Sequence, residues 1–150
     1  MRVVIQRVKE ASVKIEGVIH ASIHQGYLIL LGIESGDTSD DVDWLSAKIV
    51  NLRIFSDHQG LMNNNILSVK GEILVISQFT LYASYMKGNR PSFLRSAKPV
   101  EAIPLYQVFI KQLEIKLGKR VMTGVFGADM QIGLINDGPV TIIIDTKNKE

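Results

Sequence analysis

The run Tyr27-Leu28-Ile29-Leu30-Leu31-Gly32-Ile33 constrains this chain more than any other stretch of it. It is the longest apolar run present, of strand length and far short of the roughly 18 residues a membrane helix needs. Apolar side chains at almost every position leave no polar face, so a strand here has to be covered on both sides. The run predicts the centre of a sheet.

The neighbouring segments supply the rest of such a sheet. Val3, Val4, Ile5 and Val8, then the alternation Ser12-Val13-Lys14-Ile15-Glu16, read as two short strands, and Val18 to His24 continues the pattern after Gly17. After Gly36 the character changes. Asp37-Thr38-Ser39 offers capping side chains and Asp40, Asp41 and Asp43 bring negative charge to a first turn. Val42, Leu45, Ile49 and Leu52 then recur at helical spacing, which predicts a helix over 39–51. A short strand at 53–56 and a turn-rich stretch, Asp57 to Gly60 and Asn63 to Asn65, lead to a buried strand from Glu72 to Phe79. Residues 80–98 show weak periodicity. A second helix is predicted from Val100 to Leu117, with Leu105, Phe109, Leu113 and Leu117 on one stripe and Gly118 as its stop; Pro104 is expected in its first turn. The last third reads as two strands, Met130 to Ile135 and Val140 to Ile144, joined by a turn at Asn136-Asp137-Gly138-Pro139, before a polar tail from Thr146 to Glu150.

A length of 150 residues, 46% hydrophobic and 21% charged, suits one compact domain spanning 1–150, with no linker or repeat. The lack of cysteine excludes disulfides, thiol nucleophiles and Cys-based metal sites, so chemistry has to come from oxygen, nitrogen or backbone groups. The N-terminus carries no signal peptide, and a cytoplasmic protein is expected.

The candidate clusters are modest one by one. His20 and His24 fall on a strand, where a spacing of four separates the rings by roughly 13 Å and gives no metal pair. Asp37 to Asp43 resembles a calcium loop, but Val42 and Lys48 stand where glycine and a bidentate glutamate are needed, and helix capping explains the run better. Residues 82–98 interleave Tyr82, Tyr85 and Phe93 with Lys87, Arg90, Arg95 and Lys98. Rings and cations are the two parts of single-strand RNA binding, while a solvated loop accounts for the same composition. Ser77-Gln78-Phe79-Thr80 ends a buried strand with two hydroxyls and an amide, and no histidine or acid adjoins in sequence to activate them. Gly138 has no Cβ, which admits close approach by a ligand or another chain.

Taken in order, Met1 to Val8 with Ala11-Ser12-Val13, Trp44 to Phe55, Ser77-Gln78-Phe79-Thr80-Leu81, Gly88 to Phe93, Thr123 to Met130 and Asn136 to Thr141 are similar to the D-aminoacyl-tRNA deacylases of the bacterial and eukaryotic type, the D-tyrosyl-tRNA deacylase family. The resemblance covers essentially the whole chain. Two departures occur: the Gly60 to Asn65 stretch lacks the usual lysine and serine around its Met-Asn, and Asn89 replaces a common second basic residue.

The resemblance implies an α/β (α+β) fold, a curved, barrel-like mixed sheet flanked by two main helices. It implies hydrolysis of the ester joining a D-amino acid, or glycine, to the terminal adenosine of tRNA, with no cofactor and no metal. Ser77, Gln78, Phe79 and Thr80 would form the catalytic turn. Backbone N–H groups near Phe79 and Thr80 would hold the oxyanion and the ribose 2′-hydroxyl would assist, with Thr80 as nucleophile the competing proposal. Gly138 and Pro139, joined by a cis peptide, would enter the partner subunit's pocket and select chirality. Phe126 and Met130 would line that pocket, and Lys87, Arg90 and Arg95 would touch tRNA. The partners implied are the aminoacyl-tRNA 3′ end and a second copy of the chain, with the active site at the subunit interface and no membrane. A non-catalytic RNA-binding or dimerisation module on the same fold is the alternative.

Overall fold

The computed structural model describes residues 1–150. The strands are β1 (Arg2–Ile15), β2 (Val18–Ile23), β3 (Gly26–Gly32), β4 (Phe55–Ser56), β5 (Met62–Asn64), β6 (Glu72–Ser77), β7 (Met122–Thr123) and β8 (Gln131–Asp145); the helices are α1 (Ser39–Asn51) and α2 (Pro99–Leu117), and a 3₁₀ turn covers Phe79–Tyr82. In the main sheet β1 pairs antiparallel with β2, β3 and β8, while β3, β6 and β7 run parallel to one another. The sheet curls until it nearly closes as a barrel, and α1 and α2 pack together over one face.

The central apolar run behaves as its composition requires. Tyr27, Ile29 and Leu31 of β3, with Ile73 and Val75 of β6, join Val42, Leu45, Ile49, Phe109 and Leu113 of the helices in the larger core. Leu28, Leu74 and Ile76 point the opposite way, into the barrel, against Val8, Ala11 and Val13. Alternation by two therefore feeds two cores from one strand pair. Gly26 allows that pair to form, because a Cβ there would sit 1.8 Å from the Glu72 carbonyl oxygen.

Helix α1 spans the predicted 39–51, with Asp41 accepting from the backbone N–H of the N-cap Thr38 at 2.9 Å. Asp37 is not a cap. Its buried carboxylate takes the Met1 ammonium at 2.8 Å and Lys147 Nζ at 3.1 Å. Thr146, expected in a polar tail, is likewise buried and accepts from the Met1 nitrogen at 2.6 Å.

Several expectations are corrected. The opening is one 14-residue strand rather than two, since β1 carries β3 along its first half and β2 along its second. Strand β6 stops at Ser77 instead of Phe79, where the 3₁₀ turn begins. Pro99 occupies the first helical position of α2, which puts Pro104 beyond the first turn. It is tolerated because it is solvent-facing and the Val100 carbonyl it leaves unpaired belongs to a residue that is 80% exposed. The buried stripe of α2 is Ala102, Tyr106, Phe109, Leu113 and Leu117, with Leu105 only partly buried.

The largest correction concerns Gly138 and Pro139, which lie not in a turn between two strands but inside the single strand β8. Gln6 pairs with Thr141 and Val8 with Asn136, so residues 137–140 face Arg7 alone. Four residues against one make an outward bulge. The outer edge of β8 pairs with no other strand, and Leu134, Ile135 and Ile143 on it are exposed. No helix is long and apolar enough to cross a membrane.

Candidate active site

Strands β3 and β6 are parallel, and their carboxyl ends lie side by side, with Leu31 opposite Ser77. The chain leaves β6 at Ser77 and winds at once into the 3₁₀ turn, whose entry is fixed by the Gln78 N–H donating to the Leu31 carbonyl at 2.7 Å. A cavity of about 300 Å³ opens there. Leu31, Ile33, Ile76, Ala97, Ala102 and Tyr106 line it together with Phe126 to Met130 and Ile132, and Ser77, Gln78 and Phe79 stand at its rim.

The lining has local causes. Tyr106 lies on the buried stripe of α2, packs its ring edge-on to Phe126 at 5.8 Å, and donates to the Val75 carbonyl at 3.3 Å. Burial raises its phenol to about 12, so it stays protonated. Met130 reaches the cavity over Gly124, where a Cβ would come within 2.3 Å of the methionine sulfur. The Phe79 ring, 56% exposed, stands at the mouth edge-on to Phe93 at 5.1 Å. The Ser96 hydroxyl donates to the Phe79 carbonyl at 2.8 Å and so sets the peptide plane that also carries the Thr80 N–H. Phe79 and Thr80 open the turn, where backbone N–H groups lack acceptors within it.

The structure gathers Ser77, Gln78, Phe79, Phe126 and Met130 around one cavity. Thr80 lies one residue along the rim, its hydroxyl accepting a short hydrogen bond from Gln78 Nε2. An amide takes no proton at neutral pH, so this neighbour does not activate the threonine. Gly138 and Pro139 do not line this cavity. They are exposed on the β8 bulge, their peptide bond is cis, and Gly138 has φ +124°. The bulge is anchored by Arg7, which is 8% exposed and donates to the Asp137 carbonyl at 3.1 Å and the Ile54 carbonyl at 2.6 Å, with the Asp137 carboxylate 3.3 Å away.

Of the three cations expected to face RNA, Lys87 and Arg90 have no ion-pair partner, while Arg95 is paired with Glu34 at 2.7 Å and lies over the Tyr82 ring. No three His, Asp or Glu side chains come together as metal ligands. Sequence reasoning missed Tyr106, Ala102 and Arg7. The spacing of Ala102, Tyr106, Phe109 and Leu113 was the available signal for the first two; for Arg7 there was none, because the bulge it faces is not visible as a pattern.

Fold and site together define a class: an α+β domain whose nearly closed mixed barrel carries a ligand-sized cavity at the carboxyl ends of its parallel strands, where sites open in such sheets. Residues 4–145 match the family model described as D-Tyr-tRNA(Tyr) deacylase, and the chain belongs to that family. It is 61% identical to the D-aminoacyl-tRNA deacylase of Flavobacterium psychrophilum and 62% identical to that of Phocaeicola vulgatus, each over 150 residues and all of both chains. A solved structure titled c-Myc DNA Unwinding Element Binding Protein superposes with a TM-score of 0.90 at 38% identity, over 97% of this chain and 98% of that one. A probable eukaryotic D-amino acid tRNA deacylase shares the fold at a TM-score of 0.82 and 16% identity, over 95% of this chain and 97% of that one.

Proposed function

We propose that this protein hydrolyses the ester of D-aminoacyl-tRNA, and of glycyl-tRNA, and rejects L-aminoacyl-tRNA by means of Gly138 and Pro139 from a second subunit. Hydrolysis of aminoacyl-tRNA is the activity of the family to which the chain belongs. The observation that carries the finer reading is the separation within one chain between the cavity at Ser77 to Phe79 and the exposed Gly138-Pro139 bulge. At about 300 Å³ the cavity is at the small end of ligand pockets, with room for a terminal nucleoside beside Phe126 and Met130. The aminoacyl group then sits at the mouth, beside Phe79 and Thr80. A homodimer that brings the partner's bulge to that mouth completes the site, and the unpaired edge of β8 with exposed Ile135 and Ile143 supports such an association.

Water attacks the ester carbonyl carbon, the oxyanion is held by the N–H groups of Phe79 and Thr80, and the acyl–oxygen bond breaks as the ribose 3′-oxygen takes a proton. The ribose 2′-hydroxyl relays that proton from the attacking water, since the hydroxyls of Ser77 and Thr80 and the amide of Gln78 take no proton at neutral pH. Main-chain carbonyls of Gly138 and Pro139 accept from the substrate ammonium, and their fixed backbone leaves space for a D side chain or a hydrogen but not for an L side chain. The setting is the cytoplasm, where charged tRNA is found.

Matched D- and L-tyrosyl-tRNA test the reading. Release of D-tyrosine with the L ester intact is expected, and equal release from both, or none from either, overturns it. The last outcome would favour a non-catalytic nucleic-acid-binding module, a reading to which the name of the structural relative, a DNA unwinding element binding protein, lends support.

A further inference from the structure

Residues 77–100 hold four cations, Lys87, Arg90, Arg95 and Lys98, and not one carboxylate, in a chain whose 17 cations are otherwise nearly balanced by 15 acids. Arg95 is consumed by Glu34, which meets its Nε at 2.8 Å and its Nη2 at 2.7 Å, and by the Tyr82 ring. Lys87, Arg90 and Lys98 remain exposed and unpaired. The first two sit on a loop closed at its base by two backbone hydrogen bonds of 2.8 Å between Ser84 and Ser92. Tyr85 on that loop is 74% exposed and Met86 86%. The loop is tied to the cavity mouth, because Phe93, immediately beyond it, packs on Phe79 at 5.1 Å and Ser96 holds the Phe79 carbonyl. An exposed ring, free cations and the mouth residue therefore belong to one braced surface, the combination that binds single strands by stacking and phosphate contact.

We infer that this strip is a track for the unpaired nucleotides that precede the terminal adenosine, with Lys87 and Arg90 on their phosphates and Tyr85 under a base. The inference rests on the esterase reading for the adenosine's place in the cavity. Arg95 is a positioning residue that braces the strip and makes no phosphate contact. Duplex nucleic acid offers no splayed base to Tyr85, so the strip selects a single-stranded end.

The test measures binding of uncharged tRNA, and of the same tRNA shortened by its unpaired 3′ nucleotides, at 50, 100 and 200 mM KCl. Each single-strand phosphate contact contributes about 0.7 to the log–log salt slope, so two contacts contribute about 1.4. Over that fourfold change in salt, wild-type affinity for intact tRNA is expected to fall about sevenfold more than that of Lys87→Ala/Arg90→Ala. Lys9→Ala/Lys14→Ala, which removes two cations from β1, is expected to keep the wild-type slope. Tyr85→Ala is expected to weaken intact tRNA about tenfold with its slope unchanged, since stacking is not salt-dependent in this way. With charged tRNA, Lys87→Ala/Arg90→Ala raises KM and leaves kcat in place. An unchanged slope in Lys87→Ala/Arg90→Ala, or equal binding of intact and shortened tRNA, overturns the inference. If the wild type hydrolyses no ester, the esterase reading fails, and the binding slopes still decide this one.

Discussion

Replacing Arg7 by methionine isolates what holds the β8 bulge in place. Methionine keeps most of the apolar stem and removes the guanidinium, so two carbonyls, of Ile54 and Asp137, lose charged donors now at 2.6 and 3.1 Å. Hydrogen bonds from a charged group contribute about 1.5 kcal/mol or more each, which sets a base of about 3 kcal/mol. The Asp137 carboxylate, 26% exposed, adds less than about 1 kcal/mol because solvent screens it. The sum is about 3 to 4 kcal/mol. With a urea dependence of about 2 kcal/mol per molar, the unfolding midpoint falls by roughly 1.5 to 2 M, measured at fixed protein concentration. Arg7→Lys keeps the charge but cannot serve both carbonyls, and about half the loss is expected. Amide exchange at residues 136–140 should quicken in Arg7→Met more than exchange in α1. A midpoint shift under about 0.5 M, or an Arg7→Lys protein indistinguishable from wild type, would refute the reasoning.

Gly26→Ala drives a Cβ to 1.8 Å from the Glu72 carbonyl oxygen, where only backbone can yield, so a loss of at least about 4 kcal/mol and little folded protein in circular dichroism are expected. Tyr106→Phe removes the bond to Val75 and costs about 1 kcal/mol in denaturant titration at neutral pH. Because the folded phenol is raised to about 12 from its ordinary value near 10, its contribution is complete below pH 10 and is lost as pH rises towards 12; Tyr106→Phe should flatten part of the fall in stability over that window. Thr80→Ala should retain a substantial fraction of kcat on D-tyrosyl-tRNA, and a fall towards the uncatalysed rate with the cavity intact would restore a threonine nucleophile.

The elements legible in the sequence were those whose own residues decide them. The run from Tyr27 to Ile33 has no polar face and became the strand that feeds both cores. Helix α1 was bounded by its own cap and charge pattern, and the end of α2 by Gly118, at φ +73°, while its start at Pro99 was read one residue late. What stayed hidden depends on partners distant in sequence. Lys9 and Glu10 are exposed and interrupt the apolar pattern of β1, so it read as two strands, although β8 runs beside it throughout. Gly138-Pro139 carries the local chemistry of a turn, and only the register against Gln6 and Val8 reveals a bulge in a continuous strand.

The same division governs the site. The turn from Ser77 to Thr80 was visible because a buried strand ends in polar residues, and the structure puts Phe126 and Met130 beside it. Arg95 looked like a free cation, and Glu34, 61 positions earlier, claims it. Arg7 looked like a strand residue, yet its guanidinium is the link from β1 to Asp137. Arginine presents several donors in a fixed fork, so one side chain can satisfy carbonyls from two segments and hold a bulge that no ladder of backbone bonds supports. The proposed chiral selection asks for such an arrangement: main chain can discriminate between mirror-image side chains only where it is held rigid, and at the β8 bulge it is a side chain from the neighbouring strand that holds it.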